Sequence, residues 1–240
     1  VKNENGPTLG YSSKSGVTII KEDGLFFKDL DRDGKLSKYE DWRLSPKERA
    51  QDLASKMSIE QIAGLMLYSA HQSVPAADRG FFASTFGGKA FSESGAKSWE
   101  LSDQQIEFLT KDHLRHVLLT SVQSPEVAAK WNNEVQALVE GVGFGIPANN
   151  SSDPRHSSDS SKEFNEGAGG HISMWPETLG LAATFNPCHV RQFGEIAAKE
   201  YRALGLTTAL SPQIDIATDP RWFRFNGTFG EDSQLSTDMA

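Results

Sequence analysis

Apolar residues recur at helical spacing in several stretches of the chain and gather into short runs between them. From Pro46 to about Met57, the positions Ala50, Leu53, Ala54 and Met57 follow the helical period, with Ser45 as N-cap and Pro46 in the first turn. Ser58 caps a second, shorter helix carrying Ile59, Ile62 and Ala63, and Leu101–Leu114 reads as a helix capped by Ser102. Ser124-Pro125-Glu126 opens an amphipathic helix to about Glu140. Its apolar face holds Val127, Trp131, Val135 and Leu138, and Gly141 lies beyond its end. Pro187–Leu204 carries Val190, Phe193, Ile196, Ala197 and Tyr201, and Gly205 stops it.

Four short apolar runs, Gly64–Ala70, His116–Val122, Ile146–Asn150 and Leu206–Ile216, read as buried strands. The first 45 residues are polar and charge-dense and read as an extension, with a short helix expected over Tyr39–Arg43. Gly80–Glu100 reads as a long Gly- and Ser-rich loop, a functional or mobile surface segment. Strands alternating with long helices require parallel βαβ units, so the class is α/β. Two polar clusters, Ser151-Ser152-Asp153 and Asp215–Arg224, follow strand ends, where α/β folds keep their ligand sites. No G-x-G-x-x-G follows a strand and no P-loop motif occurs, so nucleotide-binding readings lack their defining feature. The four strand–helix units amount to about half of an eight-fold barrel of roughly 250 residues. The last residues, Asp232–Ala240, read as the opening of a helix, and a fragment is expected.

Composition narrows the partners. The 240 residues are 38% hydrophobic and 10% aromatic, enough for a core and against disorder. Lys and Arg number 24 against 32 Asp and Glu, a formal charge of −8, which disfavours nucleic acid and anionic membranes. No run approaches the roughly 20 apolar residues of a membrane span. Val1–Asn5 has neither a basic nor an apolar leader region, so a signal peptide is absent from this chain or already removed. A single cysteine, Cys188, excludes an internal disulfide and any multi-cysteine metal site. It reads as a small residue in a first helical turn.

Asp29-Leu30-Asp31-Arg32-Asp33-Gly34-Lys35-Leu36-Ser37-Lys38-Tyr39-Glu40 fits the D-x-D-x-D-G-x5-E calcium loop at every position. In that reading Asp29, Asp31 and Asp33 supply side-chain oxygens and Lys35 its carbonyl. Ser37 acts directly or through water, and Glu40 binds with both oxygens. Four carboxylates in one loop repel unless a cation neutralises them. The competing reading is a solvated Asp/Gly turn. A lone loop of this kind is expected to bind calcium weakly, for a structural purpose.

Past the third strand, Asp153 in Ser151-Ser152-Asp153-Pro154-Arg155-His156 is read as an acceptor for sugar hydroxyls, against an Asx-type turn. Neighbours on one loop cannot form a catalytic triad. The segment Ser211–Arg224 sets two Asp, two Arg and a Trp on a strand-end loop, where Arg forks hold oxygens and Trp stacks on a sugar face. The alternative pairs Asp219 or Glu231 with Arg221 as support. His171, and the pair His113 and His116, read as polar surface, since no spacing completes a metal set.

Three blocks, Met174–Pro187, Ala198–Gly205 and Ser211–Asp215, followed by Asp219-Pro220-Arg221-Trp222-Phe223-Arg224 and Phe229-Gly230-Glu231-Asp232, resemble glycoside hydrolase family 3 in order and spacing. The resemblance covers about Lys21 to Ala240, and Asp29–Arg43 also resembles an N-terminal feature of some members. It implies a retaining β-glycosidase, of β-glucosidase or β-xylosidase type, acting on an oligosaccharide or glycoside. The implied fold is the first half of a (β/α)8 TIM-type barrel, residues 46–240, after an extension over 1–45 that carries the EF-hand-like loop. By motif match Asp153 and Arg224 would hold hydroxyls of the sugar at the cleaved end. Phe223 stands where members often have Gly. The family's Lys-His block, nucleophilic Asp and acid/base Glu follow the Gly-Glu-Asp segment, so no catalytic residue is named in this chain. The rest of its own chain is then a necessary partner, and the fragment alone is expected to be inactive, with open sheet edges that favour association. No cofactor is implied for catalysis. Polysaccharide substrates and a calcium loop point to a secreted or periplasmic protein. The alternative function is a calcium-dependent carbohydrate-binding module without hydrolysis.

Overall fold

A computed structural model describes residues 1–80, 83–152 and 172–240. In chain order the elements are strands β1 (Thr18–Glu22) and β2 (Leu25–Asp29), helices α1 (Pro46–Lys56) and α2 (Ile59–Leu65), strand β3 (Gln72–Val74), helices α3 (Phe91–Ser94) and α4 (Asp103–Thr110), strand β4 (His116–Val122), helix α5 (Pro125–Glu140), strand β5 (Asn149–Ser152), helices α6 (Thr178–Ala182) and α7 (Pro187–Leu204), strand β6 (Thr208–Ala209) and helix α8 (Ser233–Met239). They divide into two compact units. One holds Val1–Ser69, Asp103–His116 and Asn133–Ala148, and the other Ala70–Ser102, Val117–Asn132 and Asn149–Ala240.

In the first unit, β1 and β2 form an antiparallel hairpin in register from Thr18↔Asp29 to Glu22↔Leu25. Asp23 and Gly24 make the turn with φ of 51° and 80°, the conformation a two-residue hairpin loop demands. A strand pair therefore stands where the sequence reads as a polar extension. Phe27 on β2 is fully buried and stacks on Trp42 at 5.4 Å. Tyr39–Arg43 forms turns, not the expected helix. Helix α1 starts at its predicted cap, with Ser45 and Glu48 closing a reciprocal capping box. The run Gly64–Ala70 pairs only at its end: Gly64 and Leu65 finish α2, Met66 is 82% exposed, and Tyr68 makes a single parallel bridge to His116 among the described residues. Arg115 is buried and donates to the carbonyls of Ile146, Leu109 and Leu114 at 2.9, 2.8 and 2.7 Å. Burial pushes its pKa down to about 10.

The second unit is built on a sheet in the order β3-β4-β5-β6, with β3 parallel to β4 and β5 parallel to β6. This is the α/β arrangement expected from alternating strands and helices. β4 matches its predicted span, whereas β5 starts three residues later than the apolar run Ile146–Asn150 implies. The fourth strand is the largest correction, because only Thr208–Ala209 pairs within the expected Leu206–Ile216. β6 is the outer member of the described sheet, so the residues beyond it lack a ladder partner on that side. Leu210, Ile214 and Ile216 are accordingly 48%, 54% and 39% exposed. Helix α7 is capped by Asn186, whose Oδ1 accepts from Cys188 N–H at 3.1 Å, and ends at Gly205 with φ of 87°. Cys188 thus occupies the first turn, as the sequence indicates, and is exposed.

Candidate functional site

Two groups of sequence-predicted residues have a structural context, one in each unit. The first is the strand-end segment 211–232. Thr207 N–H bonds Asn150 O at 2.9 Å and Leu210 N–H bonds Ser152 O at 2.9 Å, which carries the chain out of β6 beside β5. Beyond it, Ala217 N–H bonds Gly230 O at 3.0 Å and closes the neck of a loop. Phe229 anchors that loop in a buried cluster with Ala182 and Met239, against which Val190 and Leu235 pack. Thr228 is fully buried and bonds both ends of its turn, through Phe225 O at 2.9 Å and Gly230 N–H at 3.1 Å. Thus the Phe229-Gly230-Glu231-Asp232 block holds the loop that presents Arg224.

The two arginines of this loop have different fates. Arg221 lies beside Asp219, donating Nε at 3.0 Å and Nη2 at 2.6 Å to its two oxygens. The hydrogen bonds from Arg221 hold the Asp219 carboxyl below its usual range. Of the two supporting partners foreseen for Arg221, Asp219 is the one found. Arg224 is exposed, and its Nη2 donates to Gln213 Oε1 at 3.0 Å. Among the described residues no carboxylate pairs with it. Gln213 Nε2 is buried with no hydrogen-bond partner among the described residues, an orphan donor that costs free energy unless a ligand or water satisfies it. Arg224 and Gln213 line a cavity of about 930 Å³ together with Asp215, Ser211 and the α7 residues Phe193 and Tyr201. Such a cavity combines apolar walls with a few convergent polar groups, the usual make-up of a ligand site. Asp153, with Arg155, His156 and His171, lies outside the described residues.

The second group is the Asp29–Glu40 loop. Oxygens of Asp29, Asp31 and Glu40 lie within 4.8 Å of one another. Asp29 closes β2 and is entered from a strand, so the loop lacks the helix that flanks an EF-hand on either side. Glu40 accepts from the N–H groups of Leu30 at 2.6 Å and Ser37 at 2.9 Å. Burial nevertheless raises its pKa, outweighing those backbone bonds. Asp33 and Lys35 are exposed, and Asp33 Oδ1 accepts from Lys35 N–H at 2.7 Å. Ser37 Oγ accepts from Lys56 Nζ at 3.1 Å.

Residues 83–240 match the family model of the glycosyl hydrolase family 3 N terminal domain. The chain belongs to glycosyl hydrolase family 3. It is 44% identical over 225 residues to a periplasmic β-glucosidase/β-xylosidase of Dickeya chrysanthemi, covering 93% of this chain and 32% of that protein. β-Glucosidase C of Emericella nidulans is 35% identical over 198 residues, 80% of this chain and 28% of that one. The chain thus spans about a third of the length of these relatives. Among solved structures, a β-glucosidase from Erythrobacter marinus superposes with a TM-score of 0.58 at 27% identity, over 84% of this chain and 23% of that one. A Listeria innocua β-glucosidase gives 0.52 at 22% identity over 81% of this chain and 22% of its own, which speaks for the fold alone. The family 3 match over residues 83–240 includes every residue that lines the Arg224 cavity, all of them at or beyond Thr178.

Gln213 is the site residue that sequence reasoning did not single out. Its signal is weak, a lone amide inside Ser211-Pro212-Gln213-Ile214-Asp215, and only the geometry ties it to Arg224.

Proposed function

We propose that this chain is the N-terminal, sugar-gripping part of a retaining β-glycosidase that removes terminal β-linked glucosyl or xylosyl residues. The observation that carries the reading is the contrast between Arg221, engaged by Asp219, and Arg224, exposed on a cavity with donor capacity unspent on any described carboxylate. A guanidinium in that state holds hydroxyl oxygens of a pyranose through its fixed fork of N–H donors. Gln213 Nε2 offers a further donor, and Asp153 is proposed as the acceptor that completes the grip. The printed names of the relatives, β-glucosidases and β-xylosidases, supply the substrate class.

A retaining mechanism needs two carboxyl groups roughly 5–5.5 Å apart, one as nucleophile and one as acid/base. In this proposal both come from chain that follows the Gly230-Glu231-Asp232 segment, and residues 1–45 are an extension ahead of a (β/α)8 barrel beginning at 46. The periplasmic relative makes export the expected fate. Among the described residues no helix is long and apolar enough to cross a membrane. The full-length protein should release the aglycone from aryl β-glucosides or β-xylosides with the first-formed sugar in the β configuration, followed by NMR. Release of the α-anomer contradicts the mechanism. Sugar binding without turnover favours a carbohydrate-binding module instead.

A further inference from the structure

We propose that the Asp29–Glu40 loop is a calcium site that ties the end of β2 to the turns leading into α1. Its residues are none of those assigned to the sugar.

Asp29 is 3% exposed and its two oxygens are used differently. Oδ2 accepts from Gly34 N–H at 3.2 Å and from Thr18 Oγ1 at 3.0 Å, which binds the loop back onto the hairpin. Oδ1 is buried and has no hydrogen-bond partner among the described residues. A buried carboxylate oxygen left bare is costly unless a cation or water completes it. Asp31 and Glu40 bring carboxylate oxygens within 4.8 Å of a carboxylate oxygen of Asp29, and Glu40 is itself 4% exposed.

Four of the protein's own cations have partners outside the three carboxylates. Lys28 pairs with Glu140 at 2.6 Å, Arg32 donates to the carbonyls of Gly141 and Gly143, and Arg43 forks onto Asp41. Lys56 Nζ donates to Ser37 Oγ and lies over the Tyr39 ring at 5.9 Å. Three carboxylates therefore converge without a described salt-bridge partner, at the spacing the sequence motif prescribes. All the donors are oxygens, which selects a hard cation. A short, turn-rich loop tolerates the larger coordination number of calcium better than the octahedron magnesium demands. Gly34, with φ of 75°, and Arg32, with φ of 59°, make the reversal that brings Asp29 and Glu40 together. A single loop entered by a strand, with no paired second loop, belongs in the weak range, a Kd of order 10⁻⁴ to 10⁻³ M.

The test is equilibrium dialysis of the full-length protein against CaCl₂ after removal of bound ions with EGTA. Asp31→Asn and Asp29→Asn should each lose one equivalent of calcium at a free concentration of about 1 mM, while the distant surface control Glu134→Gln keeps it. Circular dichroism of each variant checks folding, and half-buried Asp31 decides the matter should Asp29→Asn fail to fold. Unchanged calcium stoichiometry in a folded Asp31→Asn protein, or no binding by the parent protein up to about 10 mM, overturns the proposal.

Discussion

The Arg224 Nη2 group donates to Gln213 Oε1 at 3.0 Å, so a neutral amide sets the direction of the guanidinium. A carboxylate in that place would spend the charge that the proposed sugar contact needs. Replacing Gln213 by Leu removes this guide and the orphan Nε2 donor while leaving Arg224 in place. The expected outcome is a roughly three- to tenfold rise in KM for an aryl β-glycoside, the loss of about one hydrogen bond. Steady-state kinetics of the full-length variant would check it, and an unchanged KM would separate Gln213 from substrate.

Glu140 links the N-terminal segment to α5 through Lys28 Nζ at 2.6 Å and Ser12 N–H at 2.8 Å. Burial on its own would raise this carboxyl, but the Lys28 and Ser12 hydrogen bonds outweigh it and its pKa lies below the ordinary value. A depressed folded-state pKa stabilises the fold above the unfolded-state value, about 4.3 for Glu. That contribution is lost as pH falls through the folded-state pKa. Glu140→Gln should therefore lower stability near neutral pH and flatten its decline below about pH 4.3. Denaturant melts across the acid range measure both.

Gly205 ends α7 with φ of 87°, and a Cβ there would collide with the Asn132 side chain. Asn132 Oδ1 in turn accepts from Asn150 Nδ2 at 2.6 Å, at the edge of β5. Gly205→Ala combines left-handed strain with a clash and should cost about 1–3 kcal/mol. Urea unfolding would register this as a lower midpoint.

Leu210, Ile214 and Ile216 are half-exposed on the chain that follows β6, the outer member of the described sheet. Expressed as residues 1–240 alone, the chain should self-associate along this edge and show no glycosidase activity. Analytical ultracentrifugation reads the first outcome. A stable monomer would mean the edge is satisfied within the chain.

Helices were the legible part of the fold. Ser45, Pro46 and Gly205 mark ends that depend on local capping chemistry, and α1 begins and α7 ends where those residues dictate. Strands depend on partners distant in sequence, and there the apolar runs misled. Gly64–Ala70 straddles a helix end, and among the described residues only Thr208–Ala209 of Leu206–Ile216 forms a strand ladder. The hairpin at Asp23-Gly24 was readable from its turn residues, yet the polar setting hid it. In the site, Arg224 stood out because it belongs to a long motif block. Gln213 did not, since a single amide carries no pattern until the fold sets it beside the guanidinium.

The account rests on Arg224 gripping the sugar while Arg221 supports the loop, and kcat/KM of the full-length Arg224→Gln and Arg221→Gln proteins on an aryl β-glucoside tests it most directly. Loss of a charged hydrogen bond to substrate predicts a roughly ten- to hundredfold drop for Arg224→Gln. Loss of an exposed ion pair predicts less than about a fivefold change for Arg221→Gln. Parental kcat/KM in Arg224→Gln, or the larger loss in Arg221→Gln, would contradict it.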